Sequence, residues 1–266
     1  MIYINGEKVE FTSFPDKTSS MRIDPEFGEY RISWLYDGDH ECILLWYLVH
    51  HIKKEIPKAR VALWMPYIPN ARMDRVKNYD EVFTLKWFAK FLNCLELDYV
   101  GVLDPHSHVS EALIDKVGVV SPTEYISNVL TELDGSRKLN VLLCYPDEGA
   151  AKRYSEELQL EYVFCIKHRD WRTGKIEGLE LANQEKVEGR NILIVDDICS
   201  RGGTFTHTAR ALKEAGAKEI FLYVTHCEDT IFKGSVLTDG LISHVFTTDS
   251  IFRGSHEKIT VSSVVE

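Results

Sequence analysis

The stretch Ile192-Leu193-Ile194-Val195-Asp196-Asp197-Ile198-Cys199-Ser200-Arg201-Gly202-Gly203-Thr204 decides the fold class of this chain. It begins as a continuous apolar run, passes through two adjacent carboxylates, and ends in a glycine pair followed by a threonine. An uninterrupted apolar run of this length is typical of a strand buried on both faces of a parallel sheet. The pattern of residues 204–214 predicts a helix, so the polar residues form a strand-to-helix loop.

The glycine turn of this loop has the composition of an anion site. Backbone N–H groups at a helix N-terminus point at a bound anion. The carboxylates of Asp196 and Asp197 suit the two cis hydroxyls of a ribose, or a metal ion near them. The loop therefore predicts binding of a sugar that carries a phosphate, and the alternative is a helix-capping turn with incidental acids. Neither a G-x-x-x-x-G-K-[ST] loop nor a G-x-G-x-x-G fingerprint is present, so ATP would be held in another way.

The rest of the chain repeats an alternation of strands and helices, which predicts parallel sheets covered by helices. A polar cluster at residues 133–137 suggests a domain boundary. We therefore expect two similar α/β domains, residues 1–134 and 135–266. The predicted helices are 41–54, 83–95, 149–158 and 204–214, and the predicted strands are 60–65, 99–103, 140–144, 162–166, 191–195 and 219–225.

Composition and charge exclude several classes of function. The 266 residues are 44% hydrophobic and 27% charged, as in an ordinary globular protein, and the net charge of −10 disfavours nucleic-acid binding. No basic segment followed by an apolar run opens the chain, and no apolar stretch is long enough to span a bilayer. The six cysteines form no C-x-x-C pair, which indicates buried reduced thiols. We expect a cytoplasmic protein without nucleic-acid or membrane partners.

Polar clusters follow four of the predicted strands, where parallel sheets bind their ligands. Besides the acidic loop they are PYIPNARMDR at 66–75, LDPHS at 103–107 and YPDEGAAKR at 145–153, and IKHR follows at 166–169. In this order they resemble the ribose-phosphate diphosphokinases (phosphoribosyl-diphosphate synthetases), whose patterns are PYxPYARQDR, DLHS and SPDxGGxKR, followed by a flexible catalytic loop. Any one motif is weak evidence, whereas four in order with the acidic loop are strong evidence.

The resemblance implies a fold, a reaction and an assembly. The fold is α/β, with two similar phosphoribosyltransferase-like (type I) domains, each a parallel sheet flanked by helices. The N-terminal domain would hold ATP and the C-terminal domain the ribose phosphate. The reaction would be Mg²⁺-dependent transfer of the β,γ-diphosphoryl group of ATP to the anomeric hydroxyl of ribose 5-phosphate, with AMP released. The assembly would be a homo-oligomer, either a dimer or a hexamer.

The resemblance also implies a role for each matching residue. Lys167 and Arg169 would neutralise charge on the transferred group, and His106 and Asp147 would lie at the Mg²⁺. Each residue also has a plainer interpretation, as a solvated loop charge, a turn cap or a surface residue after a strand. The residues implied to bind ATP are Phe14, Asp16, Arg72, Asp74, Arg75 and His106. The residues implied to bind the acceptor are Asp196, Asp197, Ser200, Arg201, Gly202, Gly203 and Thr204.

Two departures from the family pattern leave specificity open. Ser200 and Arg201 stand where the family loop has Asp and Thr. A long cation there suits a larger 5′ group such as the diphosphate of ADP-ribose, on which phage-type relatives act in NAD⁺ rebuilding, although ribose 5-phosphate is the expected acceptor. Near the N-terminus, Phe14 and Asp16 match the family's F-x-D-G-E element, but its Gly and Glu are missing.

Two other functions remain possible at this point. A phosphoribosyltransferase that consumes the activated sugar would need only the acidic loop, whereas the arginines at 72 and 75 and the His106 segment belong to an ATP half. A non-catalytic regulatory subunit related to the synthetases would be favoured by loss of Lys167 or His106, and both are present.

Overall fold

This computed structural model describes residues 1–26, 28–137, 140–169 and 176–265, and it describes only the backbone at residues 136–137, 167–169 and 176–179. The chain divides into two compact units. Unit 1 is Met1–Ser121 with Val264–Glu266, and unit 2 is Pro122–Ser263.

Unit 1 is a mixed six-stranded sheet with helices. Its sheet has the order β2-β1-β5-β6-β7-β8, in which β5 to β8 are parallel while β1 and β2 run antiparallel to their neighbours. Strands β3 and β4 form a separate antiparallel hairpin. The elements are β1 (Ile2–Ile4), β2 (Glu7–Lys8), β3 (Phe11–Ser13), β4 (Ser19–Met21), β5 (Glu29–Trp34), α1 (His40–Glu55), β6 (Arg60–Trp64), α2 (Thr84–Asn93), β7 (Tyr99–Leu103), α3 (His108–Leu113) and β8 (Val117–Val120).

The two longer helices of unit 1, α1 and α2, bury one apolar stripe each. In α1, Leu44, Leu45 and Leu48 recur at helical spacing and are almost fully buried, and in α2 Leu85 and Phe88 do the same. These side chains form one core with the apolar residues of the sheet. The core fixes the carboxyl ends of β6 and β7, from which the polar segments of this unit emerge.

Unit 2 is a seven-stranded sheet in the order β11-β10-β9-β12-β13-β14-β15. All neighbours are parallel except β10 and β11, which form an antiparallel hairpin. The strand quoted first, β12, lies inside the sheet between β9 and β13. The elements are α4 (Thr123–Arg137), β9 (Val141–Tyr145), α5 (Glu148–Leu158), β10 (Tyr162–Arg169), β11 (Ile176–Ala182), β12 (Asn191–Cys199), α6 (Gly203–Glu214), β13 (Glu219–Cys227), β14 (His244–Thr248) and β15 (Ile259–Ser262).

Each predicted helix and strand corresponds to an element at nearly the same residues. Two features differ from expectation, because neither sheet is purely parallel and residues 133–137 are helical rather than a turn. Leu133 lies at helical spacing after Ile126 and Val129 and is buried with them, which explains why the helix continues through the polar cluster. The boundary expected between residues 134 and 135 therefore falls inside α4, whereas the two units divide between Ser121 and Pro122.

The cysteines match the expected burial only in part. Four cysteines are buried, but Cys42 is half-buried and Cys94 is exposed, so burial does not hold for all six. Within the described residues, no helix combines the length and the apolar character that crossing a membrane requires.

A buried carboxylate joins the end of β5 to the start of α1. Glu41 is 4% exposed and accepts hydrogen bonds of 2.8 Å from the indole N–H of Trp34 and the backbone N–H of Asp37. It also pairs with the amino-terminal ammonium of Met1. Three donors therefore converge on one buried anion.

Replacing Glu41 by Ala should destabilise unit 1 by about 2–4 kcal/mol, because buried donors lose their acceptor. Urea unfolding followed by circular dichroism measures this free energy. Glu55→Ala on the same helix is the matched control. Glu55 is exposed and pairs with the exposed Lys54, so the unfolding midpoint of this variant should match that of the parent chain. Equal losses for the two variants would contradict a structural role for the buried anion.

Candidate active site

The acidic pair lies at the carboxyl end of β12, which continues past the predicted end at Val195 to Cys199. Asp196 is half-buried and Asp197 is 4% exposed. Burial raises the pKa of Asp196 well above its ordinary value, and the negative charges of Asp197 and Asp147 raise it further. The charge of Asp147 therefore acts on the acidic pair, whose two carboxyl groups are the ones predicted to bind hydroxyls or a metal ion.

A cation from α5 partly offsets this charge. Arg153 donates to Asp197 through a 3.1 Å contact between Nη1 and Oδ2, and its guanidinium lies 5.5 Å from the ring centre of Tyr154. The helix that carries it, α5, is capped by the preceding residue Asp147, whose side chain accepts from the backbone N–H of Ala150 at 3.0 Å. One short helix thus supplies both an acid and the balancing arginine. The sequence reasoning gave Arg153 no role, although it is the last residue of the motif at 145–153.

The glycine turn adopts the backbone that an anion site at a helix N-terminus requires. Gly202 has φ +75°, in the left-handed region, and a side chain there would lie 2.1 Å from Val236. Gly203 opens α6, whose first turn exposes N–H groups without intrahelical partners. The predicted residues from Asp196 to half-buried Thr204 therefore form one continuous edge of unit 2.

The two residues that depart from the family pattern differ in their surroundings. The Ser200 hydroxyl is 2.9 Å from the Thr230 hydroxyl. Arg201 is exposed, and within the described part of the chain it has no ion-pair partner. Its backbone is nonetheless fixed, because a side chain at Gly234 would approach the Arg201 carbonyl oxygen to 1.8 Å. The loop is packed from behind while the Arg201 guanidinium faces solvent.

A second cluster lies at the carboxyl ends of β6 and β7 in unit 1. Asp74 is 8% exposed and accepts from Arg75 at 3.0 Å. Burial alone would raise the pKa of Asp74, but Arg75, the neighbouring Ser107 and the charge of His106 outweigh it and hold the pKa below its ordinary value. The structure thus brings together the segments 66–75 and 103–107, which lie far apart in the sequence. Arg72, from the same segment, has an exposed side chain.

Phe14 and Asp16 lie at the tip of the β3–β4 hairpin. Asp16 accepts from the backbone N–H of Thr18 at 3.0 Å and from its hydroxyl at 2.7 Å, and these bonds lower the pKa of Asp16. Asp16 therefore shapes the turn, whatever else it binds. Phe14 is 56% exposed.

Lys167 and Arg169 lie at the end of β10, where their backbones face Leu179 and Ile176 of β11. Their side chains lie outside the part of the chain that the structure describes. His106 belongs to unit 1 and Asp147 to unit 2.

The acidic pair is also a candidate for binding a metal ion. Among the described residues, no three acidic, histidine or cysteine side chains converge into a site that could hold one. Mg²⁺ is commonly bound by one or two carboxylates together with water and substrate phosphates. The all-oxygen pair Asp196–Asp197 fits that partial ligand set, and a cation would relieve the repulsion that raises the pKa of Asp196.

Comparison with known proteins identifies the relatives of this chain. The family described as "Phosphoribosyl transferase domain" matches residues 124–235. Two similar proteins are named ribose-phosphate pyrophosphokinase. The one from Pyrococcus abyssi is 32% identical over 82% of this chain and 75% of its own length, and the one from Sulfurisphaera tokodaii is 26% identical over 97% and 89%.

A solved structure supports the fold over almost the whole chain. The phosphoribosylpyrophosphate synthetase from Mycobacterium smegmatis superposes with a TM-score of 0.78 at 18% identity, covering 97% of this chain and 86% of that one. This likeness and the family match confirm the expected α/β fold of the phosphoribosyltransferase type.

Asp196→Asn should stabilise the free protein at neutral pH. Because folding raises the pKa of Asp196, ionising this group costs stability; the cost is absent in acid and appears as the pH rises above the ordinary carboxyl range. We expect the melting temperature of the variant to exceed that of the parent protein by at least about 2 °C at pH 7. This increase corresponds to roughly 1 kcal/mol of stability in a domain of this size. The increase should vanish near pH ~4.

Thermal unfolding at the two pH values measures this effect. Asp134→Asn, an exposed site on α4 in the same unit, is the matched control and should change nothing at either pH. A gain at Asp196 that is equal at both pH values would contradict charge repulsion as its cause.

Proposed function

Because this chain belongs to the ribose-phosphate pyrophosphokinase family, we propose that it transfers the β,γ-diphosphoryl group of ATP to the anomeric hydroxyl of ribose 5-phosphate. It is a diphosphotransferase, as the resemblance of its motifs predicts. One observation carries the choice of reaction. The chain has both an acidic loop ahead of a helix N-terminus in unit 2 and the Asp74–Arg75–His106 cluster in unit 1.

The two rival functions use only part of this arrangement. A phosphoribosyltransferase needs the acidic loop alone, and the phosphoribosyl transferase match covers residues 124–235 only. Similarity to the pyrophosphokinases extends through unit 1, which favours the reaction that also uses ATP. A regulatory subunit related to the synthetases would be favoured by loss of Lys167 or His106, and the chain keeps both.

The acceptor would bind to unit 2 through three kinds of group. Free N–H groups in the first turn of α6 would hold the 5-phosphate. Asp196 and Asp197 would accept hydrogen bonds from the ribose hydroxyls, and Arg153 would keep Asp197 oriented for this. Ser200, Gly202, Gly203 and Thr204 would form the surrounding turn.

ATP would bind to unit 1 through the side chains after β6 and β7. Arginine suits phosphate because its planar fork donates to two oxygens at once, and Asp74 holds the Arg75 fork in place through its own 3.0 Å contact. Arg72 and His106 would complete this set. Phe14 and Asp16 at the exposed hairpin tip would reach the adenine of a neighbouring subunit in a homo-oligomer, a dimer or hexamer.

In the transfer, the anomeric oxygen forms a bond to the β-phosphorus, and the bond from that phosphorus to the α,β-bridging oxygen breaks. AMP leaves with the bridging oxygen, and the hydroxyl proton passes to solvent. In unit 1 His106, and in unit 2 Asp147 or the acidic pair, would be the residues to hold Mg²⁺, which would supply charge neutralisation on the phosphate oxygens. Lys167 and Arg169 would neutralise charge on the transferred group, so catalysis is mainly positioning and electrostatics.

The direct test is incubation with ATP, Mg²⁺ and ribose 5-phosphate, followed by mass analysis of the products. We expect AMP together with a ribose 5-phosphate that has gained a diphosphoryl group. The double variant Asp196→Asn with Asp197→Asn should lose ribose 5-phosphate binding but still bind ATP, because the cluster assigned to ATP lies in unit 1. AMP release that does not depend on an acceptor would contradict the proposal, and loss of ATP binding in the double variant would reverse the two halves.

A second acceptor, ADP-ribose, is favoured by one observation. Arg201 is exposed on the loop that would hold the 5′ group, and it offers five N–H donors where the family has a small hydroxyl residue. A diphosphate ester would give this cation a partner that a single 5-phosphate lacks. The product would be ADP-ribose pyrophosphate, an intermediate suited to NAD metabolism.

Arg201→Thr, tested against both acceptors, separates the two possibilities. If ribose 5-phosphate is the acceptor, the change should be tolerated or improve kcat/KM, because it restores the family residue. If ADP-ribose is the acceptor, it should lower kcat/KM about 10- to 150-fold, the scale of one charge-assisted contact. Equal small effects on both acceptors would show that Arg201 contacts neither.

A further inference from the structure

A hydrogen-bonded series of three side chains connects the acceptor loop to the segment after β13. The Thr230 hydroxyl donates to the Glu228 carboxylate at 2.9 Å and lies 2.9 Å from the Ser200 hydroxyl. None of the three groups is fully exposed. Glu228 and Thr230 belong to none of the motifs that indicated the function.

The number of hydroxyl protons fixes which group donates and which accepts in this series. A threonine hydroxyl carries one proton and can accept through its lone pairs. Because that proton is donated to Glu228, Thr230 can only accept from Ser200. The single proton of Ser200 is therefore directed at Thr230, and the Ser200 oxygen keeps only its lone pairs for a ligand.

The surrounding backbone holds this arrangement in place. The N–H of Glu228 donates to the carbonyl of Cys199 at 2.8 Å, directly before Ser200, and the N–H of Ile231 donates to the carbonyl of Glu228 at 3.0 Å. On the far side, Gly234 packs against the Arg201 carbonyl so closely that no side chain would fit. The loop and the supporting segment, residues 228–236, therefore form one rigid unit.

A phosphate oxygen only accepts hydrogen bonds at neutral pH, apart from any proton it still carries. An oxygen that presents lone pairs contributes nothing to its binding. We propose that Glu228, acting through Thr230, is a positioning residue that turns the Ser200 hydroxyl away from the bound phosphate. The Ser200 hydroxyl then donates no hydrogen bond to the phosphate, and the lone pairs of its oxygen weaken the binding of a fully ionised phosphate monoester. This inference rests on the proposed function, because it assumes that the acceptor's phosphate binds here.

The matched pair Thr230→Val and Thr230→Ser tests the proposal. Valine has the shape of threonine without the hydroxyl, so it frees the Ser200 proton for the ligand. Serine keeps the hydroxyl and therefore keeps both hydrogen bonds. Calorimetric titration with ribose 5-phosphate in the absence of ATP should give a Kd about 10-fold lower for Thr230→Val, the scale of one hydrogen bond to a charged group. The Kd of Thr230→Ser for ribose 5-phosphate should stay within about twofold of that of the parent protein.

Glu228→Met is an independent second variant. Without the carboxylate, the Thr230 hydroxyl can donate to the Ser200 oxygen, and the Ser200 proton is then free for the ligand. Both gains should disappear when Ser200 is already Ala, and any effect of Glu228→Met that persists there reports the charge of Glu228 alone. Glu257→Gln, an exposed glutamate in the same unit, controls for general loss of negative charge.

The outcomes separate this proposal from the one on which it rests. A parent chain that does not bind ribose 5-phosphate contradicts the proposed function, and the inference falls with it. A parent chain that binds, with Thr230→Val unchanged or weaker, overturns the inference alone. A gain from Thr230→Val that survives in the Ser200→Ala background also overturns it.

Discussion

Two adjacent carboxylates on one buried strand repel each other, and much of unit 2 can be understood as the means of tolerating that repulsion. Burial and the neighbouring charges raise the pKa of Asp196, so the free protein gains nothing from keeping both groups ionised. The arginine of α5 offsets one charge at 3.1 Å. In the function that we propose, a ligand that brings hydroxyl donors or a cation to the pair would offset the remaining unfavourable charge.

The same edge of the sheet also explains why the loop is rigid. A phosphate held by backbone N–H groups depends on where the backbone is, so the first turn of α6 must be fixed before the ligand arrives. Gly202 supplies the left-handed turn, and Gly234 lets the supporting segment approach the loop carbonyl. In this account the charge of the acidic pair and the rigidity of the glycine turn serve one acceptor, held at its two ends.

The sequence predicted the elements that are long, apolar and regular, and it identified the family from motifs at the carboxyl ends of strands. It did not predict α4 through residues 133–137, because a polar cluster resembles a turn unless the buried face of the helix is recognised. The edge strand β11, which pairs with β10, was not predicted. Arg153 could have been found, since it ends a motif that the sequence already singled out. The chain through Thr230 and Glu228 could not, since those residues are distant from the loop in sequence.

The central claim is that the acidic pair is kept, at a cost in stability, for a ligand. It is tested most directly by the melting temperature of the parent chain and of Asp196→Asn, each measured with and without ribose 5-phosphate and Mg²⁺ together. The account predicts that the variant has the higher melting temperature when both proteins are free of ligand. It also predicts that the ligands raise the melting temperature of the parent protein more, so that the difference between the two melting temperatures shrinks or reverses. Equal increases in the two chains would contradict it, because the carboxylate would then contribute nothing to binding.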